Sequence, residues 1–547
     1  MKRKFKKITT IGLTAMLAGA VFITGCSGSN NAQSQPQEEG SKRASISTTL
    51  YDRGKVPPEA GTIDNNLWTK WLNDNGPVDV KFVPFPRSEQ VQKLNLLFAS
   101  GDAPDVIFEY DGGFFNQLYA QKQLLPLDDL IAEHSTSYKQ LTEKYPQLLT
   151  LGQQDDGKTY LFGRILGAKN NDFIFIRKDW LDKLKLDVPQ TTEELFQVAK
   201  AFREQDPDGN NQKDTFGINI GGPSAESVVN SMFNNASRFV EDGKLVNPNI
   251  GEQAQAAAEF QKALFDEGVV DKDFLTDKNG EKAKQDWVTG KLGIYLGSSG
   301  VDNAGLLEEY KSLRKNVPDA VIMPIELPEG PFGRFNPGFK SPIQMTGAIN
   351  KNATDPVAIM KYIDFLVEED TIMALKNGVE GEHYTKDSEG LATPIDAEKN
   401  QKDLVGILDL SILSSIGVLP KAEQVTLKLD TSIPEEKDFE TFLKLADEAY
   451  FNPDNEYAYP ITNWPGLPPE LQIILKNTET ISEMWKKSIV GGSKYSPEQT
   501  LKEVQELWNR SGGQEIDQFY GDWIANNPDN VIYNRDFINN INEQSAE

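Results

Sequence analysis

The stretch Val78–Tyr110, VDVKFVPFPRSEQVQKLNLLFASGDAPDVIFEY, decides the fold because it predicts a strand, a helix and a second strand in succession. Apolar residues alternate with other residues from Val78 to Phe82, at the period of two expected of a strand. Apolar residues three or four apart then form one helical face from Val91 to Phe98. The short apolar run in APDVIFEY is typical of a buried strand. A strand, a helix and a strand in this order indicate an α/β unit.

The same alternation continues along the 547-residue chain. Strand patterns in FIFIRKDWLDKL, GKLGIYLG and TGAIN each adjoin a helical pattern. Helix starts are marked by the capping-box pair Thr191 and Glu194, and by Thr354 or Asp355 before Pro356. The pattern predicts an α/β protein with mainly parallel sheets, and the length predicts at least two lobes.

The charge of the chain excludes one large class of partners. The formal net charge is −26, although the first 25 residues carry five basic residues and no acidic ones. A nucleic acid would be repelled over most of such a surface, so we expect no nucleic-acid binding. The 38% of apolar residues is ordinary for a globular protein.

The N-terminal residues predict that the protein is exported from the cell. The basic run MKRKFKK precedes an apolar run ending at Ile23, as in a secretory signal peptide over residues 1–25. The following ITGC resembles a bacterial lipobox, which implies cleavage before Cys26 and diacylation of its thiol. Two acyl chains suffice to hold a protein on the extracellular face of the cell membrane. Cys26 is the only cysteine, and residues 26–44 are polar and read as a flexible tether.

A run of oxygen-bearing side chains, DPDGNNQKDT, follows a predicted helix and suggests a calcium loop. With Asp206 as position one, the predicted ligands at positions one, three, five, seven and nine are Asp206, Asp208, Asn210, Gln212 (through its backbone carbonyl) and Asp214. This spacing matches the front of an EF-hand loop. The bidentate Glu expected at position twelve is replaced by Gly217, so we expect a weak, structural site. A metal-free acidic turn is the alternative.

Taken together, these segments resemble a known family over roughly residues 45–525. The lipobox and tether are followed by LLFASGDAPDVIF, the segment from IRKDWLDKL to DPDGNNQKD, GKLGIYLGSSG, ATDPVAIMKYIDFLVEED and EGEHYT. Their order resembles extracellular solute-binding lipoproteins of carbohydrate ABC importers, in the group related to alginate-binding and LplA-type lipoproteins of Gram-positive bacteria. The resemblance implies a monomer that captures an oligosaccharide and delivers it to ABC permease subunits.

The fold implied by this resemblance is a two-lobe, periplasmic-binding-protein-like α/β fold with a central cleft and two or three crossover segments. We expect lobe I to comprise residues 45–165 and about 345–455, and lobe II to comprise residues 166–344 and about 456–547. Crossovers are expected near residues 162–168, 339–344 and 457–463.

Binding residues are expected where strands end, because clefts of open α/β proteins lie there. Sugars are held by aromatic faces and by polar groups that bond hydroxyls. The residues predicted to contact ligand are Tyr51, Asp52, Tyr110, Asp111, Ser298, Ser299 and Trp464. Weaker candidates are Glu109, Asn234 and Asn235. An acidic ligand would need basic residues in the cleft, for which the candidates are Arg53, Arg164 and Arg334. The alternative for Trp464 is burial between the lobes, and for the turn positions it is an ordinary turn or surface loop. The tryptophans expected to pack inside are Trp180, Trp287, Trp485, Trp508 and Trp523.

Two other functions compete with sugar binding. A secreted glycoside hydrolase needs a positioned pair of carboxylates, and no short motif points to such a pair. His134 and His383 are the only histidines, which excludes an HExxH zinc site. No Walker loop or G-x-S-x-G elbow is present, so we expect no enzyme. A peptide-binding lipoprotein stays open as a second alternative.

Overall fold

The structure is a computed structural model that describes residues 43–388, 390–419 and 429–546. The predicted signal peptide, Cys26 and the tether up to residue 42 lie outside the described residues. Within the described ranges, no helix has both the length and the apolar character that crossing a membrane requires.

Strands and helices alternate through most of the chain, as the sequence predicts. The strands are β1 Ser45–Asp52, β2 Asp79–Pro86, β3 Val106–Phe108, β4 Leu161–Ile165, β5 Lys169–Asn170, β6 Asp172–Arg177, β7 Phe216–Ile218, β8 Phe239–Glu241, β9 Lys244–Val246, β10 Leu292–Ser298, β11 Ile322–Pro324, β12 Phe335–Asn336, β13 Phe339–Lys340, β14 Ile343–Ile349, β15 Tyr384–Lys386, β16 Ala392–Pro394 and β17 Glu456–Tyr457.

The helices are α1 Leu67–Asn75, α2 Gln90–Ser100, α3 Gly112–Ala120, α4 Asp128–His134, α5 Ser137–Lys144, α6 Gln147–Gly152, α7 Lys178–Leu184, α8 Thr192–Glu204, α9 Gly222–Met232, α10 Glu252–Asp266, α11 Glu281–Val288, α12 Ala304–Asn316, α13 Pro356–Leu366, α14 Glu369–Asn377, α15 Ala397–Asp403, α16 Pro434–Tyr450, α17 Pro469–Asn477, α18 Thr480–Val490, α19 Pro497–Arg510, α20 Gly513–Asn526 and α21 Asn534–Ala546.

The predicted helix starts are largely confirmed. The Thr191 side chain caps α8 by accepting the backbone N–H of Glu194 at 3.2 Å. The Glu194 carboxylate accepts the backbone N–H of Gln190 at 2.7 Å, so the box closes one residue earlier than usual. Asp355 caps α13 through the N–H of Ala358, and Pro356 occupies the first turn.

The first lobe is built on a five-stranded sheet of order β2-β1-β3-β14-β4. Strand β1 pairs in parallel with β2 and β3, whereas β14 is antiparallel to both β3 and β4. Four strands therefore end at one edge of the sheet, and β14 begins there. The core beneath includes Trp68 of α1 and Ile359 and Ile363 of α13, all at most 1% exposed.

The second lobe is built on a four-stranded sheet of order β11-β6-β10-β7. Here β6 is antiparallel to β10 and β11, and β10 is parallel to β7. Trp180 and Trp287, each 1% exposed, lie in this core as predicted. Gly297 in β10 lets the Phe173 ring lie against the strand, since an added Cβ would stand 2.2 Å from that ring.

Two of the segments that cross between the lobes in the described part of the chain pair with each other. β4 of the first sheet ends at Ile165, and β6 of the second begins at Asp172. In the reverse direction, β13 leads into β14 after two residues, and β5 pairs with β13 in an antiparallel ribbon. The seven residue steps from Ile165 to Asp172 span at most about 25 Å. In each sheet, the edge at which most strands end therefore faces the other sheet across this ribbon. The predicted two-lobe α/β fold is confirmed. The prediction of mainly parallel sheets is wrong, because β14 and β6 each run antiparallel to both of their neighbours.

Two helices pack differently from the predicted lobe boundaries. Phe439 and Phe442 of α16 lie in the second core, although residues up to about 455 were expected in lobe I. Phe537 and Ile541 of α21 pack against Tyr145 and neighbouring residues beside the first sheet, although the C-terminal residues were expected in lobe II. We propose to assign α16 to the second lobe and α21 to the first.

Helices α17 to α20 form a small separate core with Trp508 buried within it. Trp508 donates its indole N–H to Asp517 at 2.7 Å, and the half-buried Trp485 donates to the carbonyl of Asn249 at 2.9 Å. A cavity of about 1100 Å³ is lined by residues of this group and of α9 and α10. The weaker candidate Asn235 is buried and lines this cavity.

Candidate functional site

The strand ends of the first sheet carry a pair of stacked tyrosines. The rings of Tyr51, in β1, and Tyr110, just beyond β3, lie 5.8 Å apart and only 9° from parallel. Tyr51 is 2% exposed, and its burial, with a hydrogen bond to Glu109, raises its pKa far above the ordinary value. Tyr110 is half-buried. Tyr51 thus supports the ring from beneath, and Tyr110 is the one that is open to a ligand.

Glu109 holds this turn together from inside. Its buried carboxylate accepts hydrogen bonds from the Tyr51 hydroxyl, from Gln90 Nε2 at 3.0 Å, and from the backbone N–H groups of Tyr110 at 2.7 Å and Asp111 at 3.2 Å. Because these donors use the carboxylate oxygens, Glu109 is a positioning residue for the tyrosine pair.

The two predicted acids at this edge also stabilise local structure. Asp111 caps α3 by accepting the N–H of Phe114 at 3.1 Å, and Asp52 accepts the N–H of Gly54 at 2.8 Å. Asp111 is exposed, and Asp52 is half-buried.

Three guanidinium groups surround the tyrosines. The Cζ atoms of Arg53 and Arg87 lie 5.5 and 5.8 Å from the Tyr51 ring centroid, and that of Arg164 lies 5.6 Å from the Tyr110 centroid. Such distances allow cation–π attraction. Arg334, also considered from the sequence, lies elsewhere and binds Glu326 at 2.6 Å.

The facing edge of the second sheet is polar. Asp172 begins β6, is 1% exposed, and accepts hydrogen bonds from Ser227 at 2.6 Å and Asn171 at 2.8 Å. Burial raises the pKa of Asp172 above its usual range. The hydroxyl of Ser227 also lies 3.3 Å from that of Tyr459, which is half-buried and follows β17.

The predicted serines occupy the end of β10 on the same edge. Ser298 shares a hydrogen bond of 2.7 Å with Ser224 of α9. Ser299 has φ +102°, an unusual conformation for a non-glycine residue, and its carbonyl accepts from Lys340 Nζ at 3.0 Å. Such outliers are frequent at binding sites.

Trp464 belongs to a half-exposed aromatic group. Its ring centroid lies 5.2 Å from that of Tyr520 and 6.0 Å from that of Trp523, and its Nε1 is buried with no hydrogen-bond partner among the described residues. Two residues on, Gly466 packs so closely on Asn116 of α3 that an added Cβ would lie 2.3 Å from its amide nitrogen. The loop therefore reaches the first lobe, one helix beyond Tyr110.

The predicted calcium loop has left-handed residues where a tight turn needs them. Gly209 has φ +75° and Asn211 has φ +60°. Asn210 Nδ2 donates to Asp208 at 2.8 Å and to Asp214 at 3.0 Å, and Lys291 pairs with Asp214 at 3.0 Å. The backbone N–H of Gln212 donates to Asn210 Oδ1 at 2.7 Å.

The donor set of this loop fits a hard cation. Asp206 Oδ1 is buried and has no hydrogen-bond partner among the described residues. Burial and the neighbouring Asp206 carboxyl raise the pKa of Asp208. A cation that binds both carboxylates would give Asp206 Oδ1 a partner and would oppose the rise in the pKa of Asp208.

A second cluster does not fit a metal ion. Within the described residues, Glu382, His383 and Asp403 are the one group of three potential metal ligands whose atoms converge. However, His383 Nδ1 accepts the N–H of Val379 at 3.0 Å, so the proton of the neutral ring is on Nε2, the atom nearest Asp403. Lys399 also bonds Glu382 at 2.9 Å and already supplies a cation.

Residues 57–373 match the bacterial extracellular solute-binding protein family, and the chain belongs to this family. It is therefore a solute-binding protein of the extracellular type. The members of this family are binding proteins rather than enzymes. This confirms the family predicted from the ordered sequence motifs.

Similar proteins cover nearly the whole chain. Lipoprotein LipO of Bacillus subtilis (strain 168) is 27% identical over 520 residues, covering 92% of this chain and 96% of LipO. The polygalacturonan/rhamnogalacturonan-binding protein YtcQ of the same organism is 26% identical over 531 residues, covering 94% and 97%.

Solved structures share the fold. A solute-binding protein of Bifidobacterium longum infantis, described as binding HMO, has a TM-score of 0.67 at 19% identity, covering 88% of this chain and 99% of that one. An EF-hand mutant of the substrate-binding protein FusA of S. pneumoniae, in complex with fructo-nystose, has a TM-score of 0.59 at 19% identity, covering 88% and 100%.

Sequence reasoning missed several residues that the fold brings to these edges. Asp409 pairs with Arg53 from 356 positions away, at 2.7 Å. The polar group of Asp172, Ser227 and Tyr459 likewise joins three distant segments. The signal available for Asp172 was its position between the predicted crossover near residues 162–168 and the strand pattern that begins at Phe173.

Proposed function

We propose that this protein captures an oligosaccharide between the strand-end edges of its two lobes and delivers it to an ABC permease in the membrane. The half-buried Tyr110 ring, supported from beneath by Tyr51, carries the proposal. A firm aromatic face beside hydrogen-bonding groups suits the alternating C–H and hydroxyl surfaces of a sugar. The names of YtcQ and FusA, which refer to polysaccharide and fructooligosaccharide binding, support the same class of ligand.

Within this proposal the remaining predicted residues take definite roles. Tyr110, Ser298, Ser299 and Trp464 contact the sugar, whereas Tyr51 positions the Tyr110 ring. Asp52 and Asp111 bond sugar hydroxyls with the oxygen atoms that their local turns leave available. Cys26 carries the lipid that keeps the monomer on the extracellular face of the membrane, near the permease.

A binding role accounts for the carboxylates better than hydrolysis does. A glycosidase needs one acid and one base that both reach the scissile bond. Asp172 is buried under hydrogen bonds from Ser227 and Asn171, and Glu109 is used by four donors. We therefore propose that the protein does not cleave its ligand.

Thermal unfolding with a panel of oligosaccharides tests the proposed function. A ligand at 100 times its Kd should add about 2.7 kcal/mol to the free energy of unfolding and so raise Tm. The panel includes neutral fructo-, galacto- and arabino-oligosaccharides and acidic uronate oligomers, with acidic and neutral peptides as competitors. Release of new reducing ends would contradict the proposal, as would stabilisation by peptides alone.

We further propose that the loop of Asp206, Asp208, Asn210, Gln212 and Asp214 binds calcium for structural stability, a role supported by the EF-hand named in the FusA structure. At about ten times a millimolar-range Kd, calcium should raise Tm by roughly 2–4 °C relative to a chelator. Asp208→Ala should abolish this rise, whereas Asp266→Asn on the exposed face of α10 should keep it. Equal Tm values with calcium and chelator would show that the loop is only a turn.

A further inference from the structure

The arginines of this protein are mostly paired with acids. The arginines that form ion pairs with carboxylates are Arg53, Arg177, Arg238, Arg314, Arg334 and Arg535. Arg87 and Arg164, both next to the tyrosine pair, form no ion pair with a carboxylate in the described ranges. In a chain of net charge −26, two arginines without an ion pair, both at the edge where the strands of the first sheet end, are unexpected.

Arg164 is the more informative of the two. It is half-buried, and its guanidinium donates to the neutral amide oxygen Oε1 of Gln344 at 2.9 and 3.2 Å. Its other neighbour is Tyr110, whose ring centroid lies 5.6 Å from the guanidinium carbon. Burial lowers the pKa of Arg164, which reflects the cost of keeping this cation away from water. A partly buried charge is normally compensated by an opposite charge.

Within the described residues, the acids of the same edge bond groups other than Arg164. Glu109 and Asp111 accept backbone and side-chain hydrogen bonds within their own turn. Asp409 receives Nε of Arg53 on both oxygens, at 2.7 and 2.9 Å, while Arg87 lies in the exposed turn after β2. Among the described residues no carboxylate bonds Arg164, so its charge is open to pairing with a bound anion.

We propose that the oligosaccharide carries carboxylates, and that Arg164, assisted by Arg87, binds one uronate unit beside Tyr110. This inference rests on the proposed function. A planar guanidinium can bind a carboxylate through two parallel hydrogen bonds, which fixes the orientation of the sugar ring. The opposite edge carries Asp172, so the acidic group faces the first lobe.

Matched ligands separate charge from shape. Oligogalacturonate and oligoalginate are compared by calorimetry with their neutral methyl esters and with neutral fructo- and galacto-oligosaccharides. The free acids should bind at least about tenfold more tightly than their esters, and added salt should reduce this difference. Arg164→Gln should remove most of the preference, and Arg164→Lys should restore only part of it. Arg510→Gln, on exposed α19, is the matched control and should change nothing.

The outcomes distinguish the two levels of the proposal. Equal or tighter binding of neutral oligosaccharides, with Arg164→Gln unchanged, would overturn the acidic ligand and leave oligosaccharide capture intact. Binding of an acidic peptide without any oligosaccharide would overturn both. Circular dichroism of each variant shows whether a loss of binding follows from a loss of folding.

Discussion

Asp179→Ala is expected to lower the free energy of unfolding by about 3–5 kcal/mol. Arg177 is 1% exposed, and its guanidinium bonds Asp179 through Nε at 2.8 Å and Nη2 at 2.6 Å. It also lies 4.5 Å from the Trp180 ring, inside the second core. Without Asp179 a buried cation would lose its counter-charge, and the backbone N–H of Val321 would lose its acceptor. Chemical denaturation followed by tryptophan fluorescence measures the loss.

A neighbouring pair on the same helix is the control. Asp182 pairs with Lys178 at the surface of α7, where an ion pair contributes little, so Asp182→Ala should cost at most about 0.5 kcal/mol. The double variant Arg177→Met/Asp179→Leu should recover much of the loss, because no charge is left buried. Equal losses for Asp179→Ala and Asp182→Ala would mean that burial of Arg177 is not the cause.

Tyr110→Ala is expected to weaken ligand binding about 30-fold, equivalent to about 2 kcal/mol. The change removes the half-buried ring that stacks on Tyr51 and lies beside Arg164. Because Tyr51 and Glu109 keep the strand ends in place, the fold should survive. Isothermal titration with the tightest oligosaccharide of the panel gives the change in Kd.

Tyr110→Phe is the conservative control for this prediction. It keeps the aromatic face and should bind within about threefold of the parent protein, because stacking needs the ring rather than the hydroxyl. Tyr495→Ala removes an exposed tyrosine that lies between α18 and α19 and contacts Lys487. This change should have no effect on binding. If Tyr110→Ala binds as well as Tyr110→Phe, the ring does not contact the ligand.

Local pattern was sufficient to predict much of the fold. The alternation in β2, the apolar face of α2 and the caps at Thr191 and Asp355 depend on neighbours within a few residues. The lobe to which a helix belongs does not depend on such local neighbours. Helix α16 is amphipathic and could cover either sheet, and only Phe439 and Phe442 in the second core show which one it covers.

The candidate site was predictable in kind but not in detail. Strand-end reasoning selected Tyr51 and Tyr110 from sequence, yet it could not show that one ring lies beneath the other. That difference depends on the parallel pairing of β1 with β3, which places residues about 60 positions apart side by side. The same limit hid the ion-pair status of Arg164, since pairing can be judged only when every nearby acid is located.

The ribbon of β5 and β13 has a mechanical consequence. Hydrogen bonds tie the two crossing segments together, with Phe339 opposite Asn170 and Lys340 opposite Lys169. Sliding one segment along the other would break these bonds, whereas twisting the pair as a unit would keep them. A change in the relative orientation of the lobes that twists these two segments as a unit therefore keeps their mutual hydrogen bonds.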